Sequence, residues 1–166
     1  MIHILLALAS FMVSGNFAVD LYGQPDARPY CWGYADSQEK VLTFSPPPGF
    51  RVHIARLRGD LVAWVRSPST GALTPPGSAA GVLLAFHDSG PEGSMRCDLC
   101  ADNTPVYIQD AVNAAQPKTR APFDVTLDWV LPADNKLIVK MASWLNDTGK
   151  PIHVEATYTV TFEFVE

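Results

Sequence analysis

The 166 residues carry 12 Lys and Arg against 17 Asp and Glu, a formal charge of −5, and 48% of them are hydrophobic. That length suits one domain with a buried core and is too short for two. With no run of Lys or Arg, the acidic balance supplies no attraction to phosphates or anionic lipid, so nucleic acid and peripheral membrane binding are not expected.

The first element is apolar. Residues 1–19 contain no Asp, Glu, Lys or Arg, and residues 4–13 are apolar apart from Ser10. A block of this size matches the core of an export signal, and Val13 and Gly15 at −3 and −1 place cleavage after Gly15. Residues 1–15 are therefore expected to be a signal peptide and residues 16–166 the domain, in a secreted, periplasmic or otherwise extracellular protein. Two alternatives stay open, because no Lys or Arg precedes the apolar block. The segment could be retained as a membrane anchor, although a span needs about 20 apolar residues, or it could be an ordered strand or helix of the folded protein.

Next comes Tyr30-Cys31-Trp32-Gly33-Tyr34, where a period of two would put Tyr30, Trp32 and Tyr34 on one face. Such a row serves more readily as core or subunit interface than as a platform for stacking a sugar or other small ligand. Residues 40–44, 51–57, 61–66 and 81–87 read as strands, rich in β-branched and aromatic residues, with turn signals at 46–49, at Gly59-Asp60 and across 67–80. Residues 82–86 are apolar throughout, as in a strand covered on both faces. Arg58-Gly59-Asp60 resembles an adhesion tripeptide, but it is also ordinary turn chemistry.

Cys97-Asp98-Leu99-Cys100 is a lone C-x-x-C without the second pair of a zinc ribbon or the βαβ setting of a redox motif. In an exported chain, Cys31, Cys97 and Cys100 make candidates for one disulfide with one thiol left over; free thiols or a metal are the alternatives. Asp98, Asp102 and Asn103 lack the spacing of a calcium loop. Thr104-Pro105 could cap a short helix in which Ile108, Ala111, Val112 and Ala115 share a face, although residues 106–108 are equally a strand. Residues 123–131 and 137–144 are further strands, and Asn146-Asp147-Thr148 is a glycosylation sequon on an expected loop. Residues 152–164 alternate most clearly, with even positions apolar and odd positions polar. Pro122 and Pro151 sit where strands begin.

Seven or eight strands with at most one short helix describe an all-β, antiparallel β-sandwich of jelly-roll or Ig-like type. No nucleophile elbow, phosphate loop, zinc-protease motif or dinucleotide fingerprint is present, so no catalytic residue, cofactor or metal is assigned. The expected role is a non-catalytic structural or interaction subunit that self-associates or docks with protein partners. A lectin-like module using Tyr30, Trp32 and Tyr34 is the alternative. A metal-dependent β-barrel enzyme drawing on His53, His87 and His153 is a third reading.

Overall fold

The computed structural model describes residues 9–21, 36–65, 79–89, 106–113, 116, 118–146 and 151–166. These form eight strands: β1 (Phe11–Leu21), β2 (Asp36–Thr43), β3 (Arg51–Val65), β4 (Ala79–Asp88), β5 (Val106–Asn113), β6 (Lys118–Val130), β7 (Lys136–Asn146) and β8 (Ile152–Val165). They make two antiparallel four-stranded sheets, ordered β1-β8-β3-β6 and β2-β7-β4-β5. An Ig-like sandwich keeps its first two strands in one sheet. Here β1 and β2 lie in different sheets, and the strand order is that of the eight-stranded jelly roll.

The alternation along β8 explains why the sheets pack. Ile152, Val154, Ala156, Tyr158 and Val160 are buried, and they meet Leu57, Leu61, Ala63 and other inward residues of β3 in one core shared with Val82, Leu84, Phe86, Val139 and Met141 from the second sheet. The continuous apolar run in β4 is covered on both faces as expected, since Leu83 and Ala85, on the side away from that core, are also closed to solvent.

Three local expectations are corrected. The runs at 51–57 and 61–66 are one strand, so Arg58-Gly59-Asp60 is not a turn. Gly59 lies between Tyr158 of β8 and Phe123 of β6, and a Cβ there would come within 3.0 Å of the Thr157 carbonyl oxygen and the Phe123 ring. The glycine answers to its neighbours rather than to a reversal of the chain. Pro122 lies inside β6 rather than before it, opposite Asp60; β6 is an edge strand, where a missing ladder donor is tolerated. The helix considered after Thr104 is strand β5, which pairs with β4 from Val106↔Phe86 to Asn113↔Ala79. Burial of Val106 and Val112 outweighs the capping signal.

β8 is a central strand. Its outer neighbour is β1, paired from Phe11↔Phe162 to Leu21↔Ile152 without a register shift. The expected cleavage point after Gly15 falls inside β1, and a chain cut there would keep only residues 16–21 of it.

Candidate functional site

The outward face of the β1-β8-β3-β6 sheet is polar because the odd positions of β8 and the alternate positions of its neighbours are Ser, Thr, Asn and charged residues. Arg56 Nε and Nη2 donate to the two carboxylate oxygens of Asp124 at 2.6 and 2.5 Å. That hydrogen bonding, reinforced by the charges of Arg56 and Arg58, holds the Asp124 carboxyl below the usual carboxylate range. Arg120 Nε donates to Asp60 at 2.5 Å. Exposed pairs of this kind contribute little to stability, but they fix the face as a solvated one.

A groove of about 730 Å³ crosses this face, lined by Ser14, Asn16, Arg58, Asp124, Thr157 and Thr159 over a floor that includes Gly15 and Gly59. The two glycines flank Tyr158 in register, and the space a Gly15 side chain would need is filled by the Tyr158 ring. The Ser14 and Thr159 hydroxyls lie 2.9 Å apart. Hydroxyls, an amide and a guanidinium can hold a polar ligand.

Beneath the groove, burial raises the Tyr158 phenol above its usual value of 10.0. The folded chain favours the neutral phenol, so an unfolded chain gives up this proton first. Its contribution to stability is complete below about pH 10 and is lost as the pH rises through the folded-state value. Denaturant melts above pH 10 should therefore fall more steeply for the wild type than for Tyr158→Phe, and parallel curves would contradict the assignment.

The three histidines do not converge. His153 Nδ1 is 2.5 Å from Asp20, its Nε2 is 3.2 Å from Glu155, and its ring lies 4.4 Å from that of Trp64. His53 Nε2 is 2.9 Å from Asp128, opposite Glu163 on β8. Ten residues of β8 separate those two places, about 33 Å at 3.3 Å per residue. His87 is on β4 in the other sheet, its Nδ1 3.1 Å from the Asp88 carbonyl oxygen. Among the described residues no three His, Cys, Asp or Glu side chains are grouped to hold a metal ion. The metal-enzyme reading loses its site. Tyr30, Trp32, Tyr34, Cys31, Cys97, Cys100, Asp98, Asp102, Asn103 and the sequon's Asp147 and Thr148 lie outside the described residues.

A second feature was hidden in the sequence because residues 1–15 read as a leader. At the start of β1, the Phe11 ring stacks on Phe162 at 5.5 Å and meets Phe164 at 5.2 Å, while Phe44, just after β2, meets Phe162 edge-on at 4.8 Å. Among the described residues nothing closes off this aromatic end: Phe11 is 41% exposed, and Met12, on the opposite face of β1, 68%.

No protein-family model and no curated protein matches the chain. Solved structures similar to it include latent PorU from Porphyromonas gingivalis, at 10% identity and a TM-score of 0.42, over 95% of this chain and 13% of that one. The BFDV capsid protein is similar at 12% identity and a TM-score of 0.40, over 96% and 99% of the two chains. Desmodium yellow mottle tymovirus is similar at 8% identity and a TM-score of 0.35, over 95% and 91%. Likenesses this distant carry no functional argument, and the jelly-roll assignment stands on the strand order. This chain corresponds to a small part of PorU and to nearly the whole of the two viral chains.

Proposed function

We propose that this chain is a non-catalytic, exported structural subunit that self-associates or docks into a larger assembly. The observation that carries this reading is the aromatic end of the sandwich, where Phe11 is partly exposed beside Phe44, Phe162 and Phe164. An exposed aromatic cluster of this kind on a charged domain usually marks a protein contact. The long C-terminal strand β8 offers no edge for such a contact, since β1 and β3 flank it. Export is supported by the uncharged residues 1–19, with the segment retained as β1, because cleavage after Gly15 would remove Phe11 and Met12.

Light scattering of the full-length chain over a hundredfold concentration range is expected to show a mass that rises above the monomer's 18.1 kDa. A strict monomer that also recruits no protein partner from its host would overturn the reading. The groove bearing Ser14, Asn16, Arg58, Thr157 and Thr159 supports a second reading, a carbohydrate- or small-ligand-binding module. A monomer that bound a glycan array, and lost that binding on Arg58→Ala, would put the second reading first.

A further inference from the structure

Among the described residues, the jelly roll leaves four strands with a neighbouring strand on one side only, and three of these edges are blunted. β6 carries Pro122 and the charged side chains of Lys118, Arg120, Asp124 and Asp128. β2 has only eight residues and turns Lys40 toward β1. β5 is equally short and is tied across the corner to β6, where Thr119 Oγ1 donates to the Asp110 carboxylate. Short length, proline and inward charge are the usual protections against edge-to-edge pairing.

β1 has neither the short length nor the proline, and the one inward charge described against its outer edge, that of Lys40, sits at Asn16. The strand runs for eleven residues in unbroken register with β8, contains no Pro, Lys or Arg, and is uncharged from Phe11 to Val19. Lys40 Nζ donates to the Asn16 carbonyl oxygen at 2.6 Å from the side away from β8. In an antiparallel ladder both backbone groups of a residue point the same way, and the direction alternates along the strand. The N–H and C=O groups of Met12 and Ser14 therefore point outward as well. Among the described residues, no backbone hydrogen bond outside the strand ladders reaches them.

We propose that this outer edge pairs with β1 of a second copy of the chain, antiparallel about a two-fold axis near Val13. The inference rests on the self-association reading above and names its mode. Pairing centred there and confined to residues 11–15 sets Met12 opposite the partner's Ser14 and the reverse, using the outward groups and stopping short of Asn16, whose carbonyl holds Lys40. It brings no like charges together, because the one charged residue of β1, Asp20, lies at its far end. It also sets the partly exposed Phe11 opposite the partner's Gly15. A two-fold contact of one strand with itself closes after two copies, and the two four-stranded sheets become one of eight.

Sedimentation velocity of the full-length chain and of Met12→Pro and Met12→Lys tests this. The Met12 N–H points away from β8, so proline there removes an edge donor without breaking the native ladder, and the lysine variant changes no backbone group. Both variants should melt like the wild type and raise the dimer dissociation constant at least tenfold. Wild-type dimers that persist unchanged in both folded variants would overturn this contact while leaving self-association standing. A wild-type chain that stays monomeric would overturn the contact and the self-association together.

Discussion

Replacing Val160 by Asp is expected to unfold the domain, while the same change at Thr161 leaves it folded. Val160 is fully buried in a central strand, between Val13 of β1 and Leu57 of β3. The substitution forfeits about 1.5–3 kcal/mol of apolar burial and strands a carboxyl where an unpaired charge costs several kcal/mol more. Together these approach the roughly 5–15 kcal/mol by which domains are stable. Thr161 is one residue away on the opposite face, between Met12 and Arg56, where a new carboxylate meets solvent and a guanidinium. Circular dichroism and thermal melts of the two variants decide the matter, and equal tolerance would contradict the inside and outside faces of β8.

The second large effect belongs to Gly59. Gly59→Val should lower stability by about 3 kcal/mol or more, at the upper end of what overpacking costs. The added atoms meet the Thr157 carbonyl oxygen, the Phe123 ring and the Tyr158 backbone at once, and a central strand cannot move aside from all three. Gly49 makes a useful contrast. Its φ of +85° requires the left-handed region, yet nothing lies within 4 Å of an added Cβ. Gly49→Ala should therefore cost only the backbone preference, about 1–2 kcal/mol. Urea midpoints of the two variants test the order; a milder effect at Gly59 than at Gly49 would restore the turn that Gly59-Asp60 resembles in the sequence.

Much of the architecture was legible because a period of two reports directly which face is buried. Residues 152–164, 123–131 and 137–144 all correspond to strands, and the apolar run at 82–86 announced a strand closed on both faces. What misled were residues whose chemistry serves two purposes. Gly59 and Asp60 carry the turn signature, yet the glycine is small because Phe123 and Tyr158 need its space. Thr104-Pro105 can open a helix, yet Val106 and Val112 gain more by burial beside β4. Pairing between sheets is not encoded locally, so neither the jelly-roll order nor the separation of His53, His87 and His153 could be read from spacing. The groove was invisible for the same reason, since Ser14, Arg58, Asp124 and Thr159 come from four different strands. The aromatic end was obscured because an apolar N-terminus resembles a leader and a strand alike.

The pairing of Phe11 with Phe162 has a consequence for how the protein is made. These residues stand 151 positions apart, so at about 5–20 residues per second the ribosome needs roughly 8–30 s to deliver the second after the first. Throughout that interval β1 has no β8 to join, and closing so long a loop is among the slowest steps a β topology can require. The first strand synthesised is thus the last to be seated in its sheet. While it waits, β1 can be captured by the β8 of a neighbouring nascent chain, and local concentration during synthesis then sets the balance between intramolecular closure and strand exchange.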